Sequence, residues 1–250
     1  MATRIVEAPR AGAMQAALRR VSATPVVLDV GPGIQPQDYF PARTHVCVEA
    51  HAPYVRRLLA ERAGDPRLVC LHGTWQEVLP HLPDASVDTA FALDLIEHLE
   101  KDEGYGLLRE MARIARHQVV VFTPLGLYPQ HYDEGQPDAW GMDGGYWQTH
   151  RSGWTPDDLA RAGGDWEAVV SPDFHQWDQH GGRLAEPFGA FWAIRTLGPA
   201  PAGARDAWTA SRGARLARAW RFHRGRLGRF ARSPVSSGRR FVRRLAGRAP

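Results

Sequence analysis

The stretch Val26-Val27-Leu28-Asp29-Val30-Gly31-Pro32-Gly33 decides the fold. A short apolar run ends in a Gly-x-Gly turn, the form of a buried strand that breaks sharply into a loop. Glycines belong where the main chain turns tightly and a ligand approaches it closely. Asp29, near the strand end, can accept a hydrogen bond from a ligand ammonium. Twenty residues further on, Glu49 closes a second apolar run, residues 45–49, where a carboxylate can receive both hydroxyls of a ribose.

Outward from this pair, apolar runs recur at residues 68–71, 87–93 and 118–122. Helical patterns lie between them at 53–63 and 102–116, the second with Leu107, Leu108, Met111 and Ile114 at helical spacing. Alternating strands and helices imply βαβ units and a mostly parallel sheet. Two later strands, 166–170 and 190–194, follow a helix with Thr155 as N-cap, Pro156 at N1 and Asp158 at N3. The pattern predicts an α/β chain with a seven-stranded sheet and helices on both faces. Residues 1–23 form an N-terminal helical arm containing a helix near 15–21. Residues 24–197 form the ligand-binding domain, and 198–250 a linker with an Arg-rich tail. Two long loops remain, 123–154 and 171–189; loops of such length in a compact domain usually serve function.

These motifs resemble the class I S-adenosylmethionine (SAM)-dependent methyltransferases over roughly residues 24–197. The resemblance rests on the Gly31-x-Gly33 turn, on Glu49, and on Val87-Asp88-Thr89-Ala90-Phe91-Ala92-Leu93-Asp94-Leu95-Ile96-Glu97-His98-Leu99, similar to the family's fourth strand and its following motif. It implies a Rossmann-like fold and S-adenosyl-L-methionine as cofactor. It also implies that Asp29, Gly31 and Gly33 hold the methionine part, Glu49 with Ala50 the ribose, and Gly73, Thr74 and Trp75 the adenine. Asp94, Leu95 and His98 would line the floor beside the sulfonium.

The chain departs from that pattern at two places. Gln35 stands where the usual third glycine allows close helix–strand packing, and the short segment from Gly33 to His45 contains Pro36 and Pro41. Together they predict a loop or single turn after the first strand instead of a helix. Thr74 stands where many relatives have an acid near the adenine. Ligands of open α/β sheets bind beyond the carboxyl ends of the strands, so the loop 123–154 should cover the methyl group and receive the acceptor. A hydroxyl acceptor would need a base, and His150 or His131 can serve near neutral pH; local hydrogen bonding within the loop is the competing role for either histidine. No zinc-like Cys/His cluster and no serine nucleophile elbow is evident. An Asn-Pro-Pro-Tyr signature for base methylation is also absent after the fourth strand.

The net charge of +4 conceals a tail of +13 from Pro201 to Pro250, with fourteen arginines and one acid, Asp206, leaving −9 on residues 1–200. Leu216, Trp220, His223, Leu227 and Phe230 fall on one helical face of that tail. A basic amphipathic segment suits a membrane surface or a lipid-linked substrate. Nucleic-acid or protein binding and a solvated tail without a role remain alternatives. The two cysteines read as buried structural thiols, and no signal-peptide or bilayer-spanning run occurs. The expected location is therefore the cytoplasm, with contact at the inner membrane face through the tail. Two other functions compete: a non-catalytic tethering or regulatory protein on the same fold, and a nicotinamide-dependent oxidoreductase. The latter needs a Gly-x-Gly-x-x-Gly run that is missing here.

Overall fold

The computed structural model describes residues 3–133 and 135–211. Strand β1 is Arg4–Glu7, β2 Ser22–Ala23, β3 Val26–Val30, β4 Thr44–Glu49 and β5 Leu68–His72. These are followed by β6 Val87–Leu93, β7 Ala115–Pro124, β8 Glu167–Trp177, β9 Arg183–Thr196 and β10 Arg205–Asp206. Helices are α1 Arg10–Leu18, α2 Ala52–Glu61, α3 Trp75–Val78, α4 Lys101–Ile114, α5 Gly145–Gln148, α6 Pro156–Arg161 and α7 Ala207–Ala210. The main sheet runs β1-β8-β9-β7-β6-β3-β4-β5. Strands β3 to β7 pair in parallel, and β9 is antiparallel to both β7 and β8. The order reverses at β3, whose neighbours are β4 and β6. Ligand crevices form at such a switch point.

The expected seven strands are therefore eight. The additional one, β1, pairs in parallel with the edge of β8, from Arg4 against Glu167 to Glu7 against Val170. It lies in the segment expected to be a helical arm; four mostly exposed residues carry too little periodic signal to reveal a strand. The second correction concerns residues 171–189. They extend β8 and β9 into a long hairpin, with register shifts between Ser171 and His175 and between His175 and Trp177. Such irregularities break the period-2 pattern from which a strand is read. Residues 198–211, expected in the linker and tail, return to the body. There β10 pairs with β2, and the buried Ala207 donates its N–H to the Val21 carbonyl at 2.6 Å. The amphipathic run 216–230 lies outside the described residues.

Period-2 alternation sends successive side chains to opposite faces of the sheet. Ala90 and Ala92 of β6 and Val119 and Val121 of β7 join Leu107, Leu108, Met111 and Ile114 of α4 on one face. Phe91, Val120 and Phe122 face the other way, with Ala13, Ala17 and Leu18 of α1. After β3 the chain forms no helix before Thr44, as the prolines predict. That segment packs directly: Tyr39 and Phe40 each set their ring 6.0 Å from Phe91, and Trp192 donates to the Tyr39 hydroxyl. Among the described residues no helix is long and apolar enough to cross a membrane.

Candidate active site

Gly31 and Gly33 both take left-handed backbone, with φ of +62° and +57°. A Cβ on Gly31 would stand 2.5 Å from Leu95, and one on Gly33 would stand 2.3 Å from the Trp140 ring. Both glycines are therefore required by conformation and by space. The turn is tied to the next strand: Gly31 donates to the Val48 carbonyl at 2.8 Å, and Gly33 to Oε2 of Glu49 at 2.8 Å. The other Glu49 oxygen accepts from the His51 N–H at 2.8 Å. Burial raises the Glu49 carboxyl above the usual glutamate range, opposed by the N–H groups of His51, Gly33 and Ala50. Each carboxylate oxygen has a further lone pair. A carboxylate beside a left-handed glycine turn fits the hydroxyls of a nucleoside, so these residue types fit the cofactor that the resemblance implies.

The other sequence-indicated residues are placed as follows. Asp29 is buried; its Oδ2 accepts from the Gln37 N–H at 2.6 Å and lies 3.2 Å from Nε2 of His45. The Ala50 carbonyl accepts from Nε2 of His72 at 3.1 Å. Gly73 donates to the Glu49 carbonyl at 3.0 Å. Thr74 caps α3 through a reciprocal box with Glu77. Trp75 packs towards α4, where a Cβ on Gly106 would stand 2.9 Å from its ring. Asp94 directly follows β6 in a left-handed conformation, φ +51°, rare for a residue with a side chain. Such backbone tends to mark functional positions. Leu95 follows it and lies on Gly31.

The loop 123–154 folds down against this end of the sheet. Asp138 organises it: the carboxylate accepts from the N–H groups of Trp140, Met142 and Gly144 and from the Tyr54 hydroxyl of α2. Trp140 is thereby set on Gly33 and packs edge-on against Tyr54, with ring centroids 4.8 Å apart. The far end is fixed by Trp154, which is fully buried and donates Nε1 to the Ile96 carbonyl and the Ser152 hydroxyl. Arg151 and Ser152 donate their N–H groups to the Glu97 carbonyl.

These anchors bring His150 to the carboxyl end of β6. Its ring centroid lies 4.8 Å from that of His98, which sits with Glu97 on the short 3-10 turn Ile96–His98. Nδ1 of His150 bonds the Tyr128 carbonyl at 2.8 Å, and Nδ1 of His98 the Thr149 carbonyl at 3.2 Å. A carbonyl only accepts, so each Nδ1 is the donor in its bond, and in the neutral tautomer that this implies the lone pair belongs to Nε2. Glu97 is buried, and its Oε2 accepts from the Thr123 hydroxyl at 2.9 Å. His131 sits elsewhere, exposed and 3.5 Å from Asp133. Sequence reasoning did not single out Glu97 as a reactive group. Its only signal was membership of the Asp94–Leu99 motif; its grouping with His150, 53 residues later, depends on the loop's path.

Residues 28–123 match the family model described as a methyltransferase domain. No curated protein gives a sequence match. Among solved structures, the YcgJ protein of Bacillus subtilis is similar with a TM-score of 0.50 at 12% identity, over 76% of this chain and 99% of that one. A SAM-dependent methyltransferase from Mesorhizobium loti is similar at 0.49 and 18% identity, over 73% and 97% of the two chains. At these identities the likeness to YcgJ carries the fold. The strand order and the glycine turn at the switch point agree with the match of residues 28–123 to a methyltransferase domain on a Rossmann-like fold.

Proposed function

We propose that the chain transfers the methyl group of SAM to an oxygen or nitrogen nucleophile on a small-molecule or lipid-linked, cell-envelope-related acceptor. The observation that carries this reading is the placing of Glu97, His98 and His150 beside the glycine turn's end of the sheet, beneath a loop anchored at both ends. SAM, when bound, supplies a methyl carbon made electrophilic by its sulfonium. Gly31 and Gly33 shape the turn that carries the cofactor, with Leu95 and Trp140 packed on them, and Glu49 accepts from its ribose hydroxyls. Asp29 holds the following segment through Gln37 and so shapes the methionine end. Leu95 and His98 form the floor. The aromatic loop excludes water and orients the acceptor for in-line approach, which can supply much of the acceleration. Where the acceptor is a hydroxyl, its proton leaves at the Glu97–His98–His150 cluster, with His150 as the residue that receives it.

The tail from Pro201, with its charge of +13, supports the lipid-linked form of the acceptor. Cells with and without the protein should differ by a lipid or metabolite that gains one methyl group in mass spectrometry. Calorimetry should show binding of SAM and none of NAD; the reverse result overturns the reading. A chain ending at Ser211 should keep SAM affinity and lose binding to anionic vesicles. Unchanged vesicle binding removes the membrane role.

A further inference from the structure

Among the described residues, Glu97, His98 and His150 each offer one ligand atom within 4.8 Å of the other two. We propose that this cluster binds a divalent first-row transition cation, and that the acceptor is accordingly a hydroxyl compound which the cation activates. The proposal deepens the methyl-transfer reading above, since it assigns the acceptor's chemistry at the same site.

The donor set and its support both point this way. Two imidazoles and one carboxylate suit zinc, iron, cobalt or nickel, whereas magnesium and calcium favour oxygen ligands alone. The Nδ1 protons of both rings are held by backbone carbonyls, of Thr149 for His98 and of Tyr128 for His150. This is the outer support that metal-bound histidines carry, and it directs the Nε2 lone pair to a cation. Glu97 is oriented by the Thr123 hydroxyl at the end of β7. The support therefore comes from β7 and from two parts of the loop. Glu97 and His98 sit on a fixed turn, while His150 rides on the loop; metal bonds of about 2.0–2.2 Å would draw the loop inward. Three protein ligands leave a position for an oxygen of the acceptor.

A second group of possible ligands, Asp29, His45 and Cys47, is less suited. Desolvation, with Asp29 close by, pushes the Cys47 thiol far above its usual range, and a thiol ligates only when deprotonated. At the Glu97 cluster, coordination lowers the pKa of a hydroxyl. With Nε2 of His150 engaged as a ligand, the base role given to it above passes to the cation, and the O–H bond yields its proton to solvent. The new O–C bond forms as the S–C bond breaks, and that bonding pair returns to sulfur. The products are a methyl ether, a thioether and one proton, with no redox change.

The test uses the full chain, without an affinity tag and stripped by chelator, titrated with Co2+ and followed by its visible d–d absorption. One equivalent should bind. Glu97→Gln and His150→Ala should each weaken binding by at least about 100-fold, beyond the effect typical of an outer-shell change. SAM calorimetry on the same proteins checks that both variants keep the cofactor site folded. No uptake by the unaltered chain overturns the proposal. So does uptake that both variants retain, and a thiolate-to-cobalt charge-transfer band would then place the ion at Cys47. SAM binding by the stripped protein tests the methyl-transfer reading separately, so the two can fail independently.

Discussion

At the scale of single residues, the glycine turn is held by two backbone torsions and one carboxylate. Gly33→Ala must hold an L side chain at φ +57° and displace the Trp140 ring. It should cost about 1–3 kcal/mol in urea unfolding and weaken SAM binding in calorimetry. An unchanged midpoint would show that the turn relaxes freely. Glu49 makes a pH prediction. Its folded pKa is raised above the unfolded value by burial, so its stabilising contribution is complete below the unfolded pKa and is lost as pH rises through the folded one. Glu49→Gln does not titrate there. The unfolding free energy of the parent chain, relative to this variant, should therefore fall as pH rises above the ordinary glutamate range. A difference independent of pH would refute the raised pKa. These residues were legible in the sequence because Gly-x-Gly and a strand-end acid keep their meaning in most α/β contexts. Thr74 was less so, since a threonine followed three residues later by Glu77 also spells a capping box, and the structure builds that box.

At the scale of elements, the loop 123–154 converts a chain segment into a wall of the site. Its organiser is the Asp138 carboxylate, buried among three N–H groups and the Tyr54 hydroxyl. Asp138→Ala leaves those donors without their acceptor, a local loss of about 2–4 kcal/mol on the usual penalty for buried unsatisfied groups. Hydrogen exchange should accelerate across residues 138–148 while β3, β6 and β7 keep their protection. Equal acceleration of those strands would mean that the loop and sheet unfold together. The length and aromatic content of this loop were readable in advance. Which of its two histidines reaches the sheet was not, because that depends on the turn at Asp138 and on the anchor at Trp154.

At the scale of the whole molecule, Trp154 ties the loop 123–154 to the core shared by β6, β7 and α4. It is fully buried against Gly104, where a Cβ would stand 2.3 Å away, and Lys101 holds its ammonium 3.9 Å from the ring centre. Trp154→Ala should cost about 3–5 kcal/mol in global unfolding. It should also weaken cobalt binding at His150, four residues before it. Loss of stability without loss of cobalt affinity would show that the carbonyls of Tyr128 and Gln130, which accept from Nδ1 and the N–H of His150, suffice to position it.

Taken over the molecule, the alternating α/β pattern, the absence of a helix after β3 and the glycine turn could all be read from the order of residues alone. Those features follow from local rules: period-2 and period-3.6 burial, the fixed φ of proline, and the freedom of glycine at positive φ. Only the tertiary structure decided the eighth strand, the long β8–β9 hairpin, the return of residues 205–210 to the body and the meeting of Glu97, His98 and His150. The first three are pairings between segments distant in sequence, where register shifts or shortness erase the local period. The last is a convergence of side chains from a turn and a loop, and such positions are fixed by anchors elsewhere in the chain.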